Sequence, residues 1–162
     1  MSAREIVVRV SDMAVATADE VLVTVGLGSC VAIMLYDPDA RIGGLAHILL
    51  PSKALTRQSD NPAKFPQSAV PVLLERMVAA GANPRRITAR LAGGASMFSQ
   101  LAPPGTIQMG ERNLVSTRQA LSAHNVPLTG EAVGGDFGRM VRLHCKDGRI
   151  DVSSVAHGVQ HL

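Results

Sequence analysis

Aromatic side chains are nearly missing, with one Tyr, three Phe and no Trp in 162 residues. A chain this poor in flat rings lacks the platforms on which single-stranded nucleic acid stacks, and no zinc-finger spacing appears. The net charge of +3, mostly arginine, therefore fits a solvated surface or an acidic protein partner better than nucleic acid. Cysteine is equally scarce. Two residues, Cys30 and Cys145, exclude a disulfide scaffold and leave each thiol to be judged by its surroundings. Long apolar runs free of Gly, Pro or charge are absent too, which argues against a membrane helix. The early run Ile6–Val10 carries Arg9 and is too short for a signal-peptide core. These absences point to a cytoplasmic protein, and 162 residues with 46% hydrophobic and 18% charged side chains suit one folded domain, 1–162.

What is present is mostly strand. Val21–Val25, Val31–Tyr36 and Ile42–Leu50 are apolar, β-branched runs separated by glycines or by Asp37-Pro38-Asp39-Ala40, whose turn chemistry predicts a hairpin between the second and third runs. Both arms are almost wholly apolar, so the hairpin is expected to be covered on both faces. A polar, Pro-containing linker spans 51–66 and reads as a surface loop. From Ser68, as cap, to Gly81 a helix is predicted, with Ala69, Val72, Leu73, Met77 and Ala80 inward. A strand over Ile87–Ala92 follows, then a helix over Asn113–His124 with Leu114, Thr117 and Leu121 inward. Leu128–Val133, Arg139–Cys145 and Arg149–Val155 complete the strands. There is no internal repeat. The sum is an α/β or α+β domain with two helices and at least six strands.

The stretch Thr24-Val25-Gly26-Leu27-Gly28-Ser29-Cys30 places a thiol just past two glycines at the mouth of a strand. With a four-residue turn at 37–40, Tyr36 faces Arg41, and six steps along each arm Cys30 faces His47, close enough to share a proton. A slip of one residue would turn His47 to the other face. Imidazolium beside the thiol would lower its pKa and make it a nucleophile, with His47 as general base. Gly26 and Gly28 permit positive φ and close approach, so amides around Ser29 and Cys30 are candidates to meet an oxyanion. Thr24 is the nearest hydroxyl to fix the imidazole tautomer. The same residues also read as core filler, a satisfied buried histidine and a tight strand connection. Cys145 adjoins His144, but neighbouring strand residues point oppositely, so Cys145 is expected in the core. His124, His157 and His161 show no metal-ligand spacing, and no metal is expected.

Five blocks in order, "TVGLGSCVAIMLYDP", "GGLAHILLP", "LAGGASMF", "MGERN" and "GGDFGRMV", resemble CheD, the chemoreceptor glutamine deamidase family of bacterial chemotaxis. The resemblance runs from about Val21 to Val141. It implies catalytic roles for Cys30, His47 and Thr24, and a layered α/β sandwich of mixed and antiparallel sheet similar to the catalytic domain of cytotoxic necrotizing factor toxins. It also implies cofactor-free conversion of selected glutamines of methyl-accepting receptors to glutamate through a thioester. Some members hydrolyse glutamyl methyl esters and some bind the phosphatase CheC. Asp136 stands where the family often has Asn. Gly93, Gly94, Arg112, Asn113, Gly134, Gly135 and Arg139 are expected to line the cleft, although the glycines also read as turns and Asn113 as a helix N-cap. Arg112 and Arg139 are further expected to steer an acidic substrate by charge. The alternative is a non-catalytic adaptor that docks on receptors or on CheC.

Overall fold

The computed structural model describes residues 3–56 and 60–162. Two five-stranded sheets and two helices form three layers. Strands β1 (Glu5–Val7), β3 (Val21–Leu27), β8 (Arg139–His144), β9 (Ile150–Ser154) and β10 (Gly158–His161) make the first sheet, in the order β1-β3-β8-β9-β10. The second contains β2 (Met13–Thr17), β4 (Val31–Asp37), β5 (Ile42–Ile48), β6 (Thr88–Gly93) and β7 (Leu128–Val133), in the order β2-β5-β4-β6-β7. Helices α1 (Pro66–Ala79) and α2 (Met109–Ala123) cover the outer face of the second sheet. Both sheets are mixed: β1 pairs with β3 and β6 with β7 in parallel, the rest antiparallel.

The period of two explains why β4 and β5 are buried along their whole length. Val31, Ile33 and Leu35 of β4 with Ala46 and Ile48 of β5 pack on Val70, Leu73 and Met77 of α1 and on Leu114 and Leu121 of α2. The alternate residues Cys30, Ala32, Met34 and Leu45 pack on Leu22, Leu27, Val141, Leu143 and Val152 of the first sheet. Gly44 lets α1 sit directly on β5, since a Cβ there would lie 2.9 Å from Leu73 Cδ1 and Met77 Sδ. No helix among the described residues is long and apolar enough to cross a membrane.

Several expected boundaries move. Helix α1 opens at Pro66, whose missing N–H costs nothing in the first turn; Ser68 lies inside it and donates to the Pro62 carbonyl at 2.7 Å. Val70 is buried on its inner face and Ala80 is exposed. Helix α2 begins four residues before Asn113, which is therefore a buried interior residue rather than the N-cap. The 51–66 linker is more than a surface loop. It carries short turns at Lys53–Leu55 and Pro62–Lys64, buries Phe65 completely, and offers the Lys64 carbonyl to the amides of Leu49 and Leu50; its residues 57–59 lie outside the described residues.

The hairpin register also shifts. Asp37 belongs to β4 and faces Ile42, so the four loop residues are 38–41. Asp37 Oδ1 accepts from the amides of Asp39 and Ala40, and Arg41 takes φ +55°. His47 consequently faces Ala32, and Cys30 lies one step beyond the last pair, Val31 with Ile48. The expected direct opposition of Cys30 and His47 is thus a diagonal relation. Because the displacement is two residues, both side chains keep the same face.

Candidate active site

Cys30 sits immediately before β4, 9% exposed, and His47 lies on β5, 2% exposed. Thr24 comes from β3 in the opposing sheet, fully buried. It reaches the imidazole across the sandwich, not from an adjacent strand. Its Oγ1 is 2.7 Å from His47 Nδ1 and donates to the Val8 carbonyl at 2.5 Å. A hydroxyl has one hydrogen. Since Val8 takes it, the lone pair of Oγ1 must accept from Nδ1–H, which leaves Nε2 as the unprotonated nitrogen. That Nε2 is buried and has no hydrogen-bond partner, so the tautomer is set and the basic atom is free.

Burial holds the His47 pKa below its ordinary 6.5, favouring the neutral ring. Burial also pushes the Cys30 thiol above its ordinary 9.0, with its own backbone N–H opposing part of that shift. Burial thus favours the neutral form of both partners, against the expected thiolate and imidazolium. Desolvation penalises both charged partners, and no hydrogen bond yet joins sulfur to Nε2. Diagonal neighbours on a sheet face are separated by about 7–8 Å between backbone positions, within reach of long side chains.

The preceding loop is shaped by a bulge. Register changes between Thr24, facing Val141, and Leu27, facing Arg139; Gly26 within it has φ +71°. Gly28 has no positive φ, so its use is steric: a Cβ would lie 2.9 Å from Met97 Sδ. Gly93 at the end of β6 and Gly94 just past it grip the loop. The Gly94 amide donates to the Cys30 carbonyl and that of Ala95 to Gly28, both at 2.8 Å, and a Cβ on Gly93 would collide with the Cys30 carbonyl oxygen. Gly134 and Gly135 close the next ring outward through Gly134 N–H to Gly93 and Ser96 N–H to the Gly135 carbonyl. A cavity of about 250 Å³ opens beside Ser29, lined also by Ala95, Met97, Phe98, Met109 and Gly110.

Arg139 is 8% exposed, donates to the Gly134 carbonyl at 2.8 Å and lies 4.1 Å over the Phe137 ring. It ties down the 134–137 loop and lines the cavities on the Phe137 side of it. Arg112 is exposed on α2, outside the cavity lining, and Asp136 is exposed. Asn113 comes closer than a cleft liner: its Nδ2 donates to the carbonyls of Ser29 at 2.9 Å and Leu49 at 3.2 Å. Sequence reasoning missed the Val8 carbonyl, because any residue type could supply it. Cys145 is in the core, as expected, and His144 turns away to Asp151.

A family model described as CheD chemotactic sensory transduction matches residues 49–154. The chain belongs to the CheD family. That match begins two residues past His47, while curated relatives align over the whole chain. A "Probable chemoreceptor glutamine deamidase CheD" of Caldanaerobacter subterraneus subsp. tengcongensis is 38% identical over all of both chains. One of Clostridium novyi is 39% identical over all of both. "Probable chemoreceptor glutamine deamidase CheD 2" of Geobacter metallireducens is 42% identical over 96% of each. A solved Neisseria meningitidis protein of family DUF152 aligns with 83% of this CheD-family chain and 63% of its own, at TM-score 0.48 and 11% identity.

Proposed function

We propose that this protein deamidates selected glutamine side chains of chemoreceptors, with Cys30 as nucleophile, His47 as general base and acid, and Thr24 as the residue that orients His47. The relatives' names support the reaction class. The observation that carries the residue roles is the chain Val8 carbonyl, Thr24 hydroxyl, His47 Nδ1, which leaves a bare Nε2 on the face that Cys30 shares.

Substrate entry brings the thiol within reach of Nε2, which takes its proton as sulfur bonds to the γ-carboxamide carbon. Charge builds on the carboxamide oxygen, where the amides of the Gly28–Cys30 loop are the candidate donors. His47 then passes the proton to nitrogen, ammonia leaves, and a thioester remains. Water, deprotonated by the same Nε2, attacks that carbon; sulfur departs and recovers the proton, leaving glutamate. A glutamyl methyl ester would follow the same path with methanol leaving. No step calls for a cofactor. Exposed apolar residues beside the loop, Val25, Met97 and Phe98, suit a protein surface as substrate better than free glutamine. The phosphatase CheC is a second candidate partner for this rim.

The test is mass spectrometry of a receptor cytoplasmic fragment incubated with the protein, searched for Gln-to-Glu conversion. Conversion that Cys30→Ala abolishes is the expected result. Binding of the fragment without conversion would favour the adaptor reading.

A further inference from the structure

We infer that Asn113 is a positioning residue for the reaction, acting as a clasp that fixes the nucleophile's backbone against the strand carrying the base; this rests on the roles given above to Cys30 and His47. The β4–β5 ladder ends at Val31 with Ile48. Beyond that pair nothing in the ladder sets the spacing between the segment holding Cys30 and the segment leaving His47. The side-chain amide of Asn113 bridges that gap. Its two hydrogens go one to the carbonyl of Ser29, the residue before Cys30, and one to the carbonyl of Leu49, which continued register places across from Cys30.

The orientation of the amide is forced. Two carbonyl oxygens face one end, so that end must be NH₂, since an oxygen there would meet two acceptors. The other end, Oδ1, is buried without any partner. A fully buried side chain kept only for packing would be apolar and would leave no orphan acceptor. Of the neighbouring helical positions, Ser116 acts alike, while Thr117 bonds within the helix. Ser116, one turn on, donates to the Pro51 carbonyl at 2.6 Å, joined by Gln67 Nε2 at 2.8 Å, and Thr117 returns its hydroxyl to the Asn113 carbonyl at 2.7 Å. Asn113 and Ser116 of α2 thus hold the chain leaving His47, and Asn113 alone of the two extends the hold to the cysteine side.

Asn113→Leu, which removes both donors and the orphan oxygen, and Asn113→Ser, which leaves room and polarity, test the clasp. Three quantities are measured on each folded variant: kcat and KM for a receptor fragment, and the pH profile of Cys30 alkylation by iodoacetamide. A misplaced nucleophile costs on the order of 100-fold, so kcat should fall by about that factor while KM stays within about threefold. Iodoacetamide carries a carboxamide like the substrate's and brings the thiol to Nε2 in the same way, so the alkylation profile should lose its His47-assisted portion near neutral pH and rise only with ionisation of the thiol itself. A purely structural residue would leave that profile unchanged, and an unchanged profile overturns the inference. So does kcat within a few-fold of the parent in either folded variant; should Asn113→Leu fail to fold, Asn113→Ser decides. In the same assay Cys30→Ala separates the two readings: activity there rejects the proposed chemistry, whereas inactive Cys30→Ala beside active Asn113 variants rejects only the clasp.

Discussion

The two cysteines of this chain share burial and a thiol pKa raised by it, yet their surroundings differ in every respect that matters for chemistry. Cys145 is sealed between sheets, with its sulfur packed where Gly43 lacks a Cβ and its carbonyl accepting from Tyr36 Oη at 2.8 Å. Its neighbour His144 is engaged by Asp151 at 3.0 Å. Cys30 lies at a strand end beside a bulged glycine loop and a cavity at Ser29, and on its face stands an imidazole with one nitrogen committed and the other free. Under the proposed mechanism Cys30 would draw on that proton acceptor and open edge, since burial raises the thiol pKa at both sites.

The largest expected effect breaks that contrast directly. Cys30→Ala should lower deamidation by at least about a thousandfold, because no other group can form the thioester, while the helix content by circular dichroism stays that of the parent. Retained turnover would mean that the open edge does no covalent chemistry.

Next in size is the relay through Thr24. Thr24→Val keeps the shape and removes the hydroxyl that both accepts from His47 and donates to Val8, so kcat should fall about 100-fold with little change in KM. Thr24→Ser keeps the hydroxyl and should retain a substantial part of the rate. Equal losses in the two variants would assign Thr24 to packing.

Much of this arrangement is legible in the sequence, for identifiable reasons. Apolar, β-branched runs place β3, β4 and β5, and parity alone puts Cys30 and His47 on one face, so a register error of two residues leaves the pairing of faces intact. The short edge strands β1, β2 and β10 carry too few alternating residues to announce themselves. Start signals misled at both helices, because Pro66 and Met109 open them without side-chain caps and a polar Asn inside a helix resembles a cap. The ionisation state of the dyad depends on burial from both sheets, which no local pattern encodes. Arg139 shows the same limit: its charge is visible in the sequence, its enclosure by Phe137 and the Gly134 carbonyl is not. Arg139→Ala should therefore reduce deamidation and Cys30 alkylation together, each by about tenfold and with little salt dependence, as a loosened loop would. Loss of deamidation alone, relieved at low salt, would restore a docking role.

A smaller effect concerns pH. With the His47 pKa held below 6.5 by burial, the base stays neutral into mildly acid solution, and the acid limb of kcat/KM should fall below pH 6.5. The stability consequence has a definite sign. Below 6.5 the unfolded chain binds a proton at this residue that the folded state resists, so folded stability declines as pH falls through that value. His47→Gln should flatten that decline in urea titrations between pH 7 and 5; an unchanged decline would place its origin elsewhere.

The smallest effect on activity, and the sharpest control on the comparison, is expected at the sealed cysteine. Cys145→Ala removes a buried sulfur packed against Gly43, away from the hydrogen bonds that hold Thr24 and His47, so turnover should match the parent within about twofold. Its consequence is thermodynamic. The Cys145 thiol is pushed up to about 11 from an ordinary 9.0, chiefly by burial. Between those values the unfolded chain releases the proton and the folded chain keeps it, so the parent loses stability as pH rises, by about 3 kcal/mol at most given 1.36 kcal/mol per pKa unit. The alanine variant begins lower at pH 8, because a buried atom leaves a small void worth about 1–2 kcal/mol, but lacks this alkaline loss. Urea unfolding at pH 8 and pH 10.5 should therefore show the gap between parent and variant narrowing as the solution becomes alkaline. A constant gap would mean that the Cys145 proton is not held by burial, and the contrast between the two thiols would have to be sought in access alone.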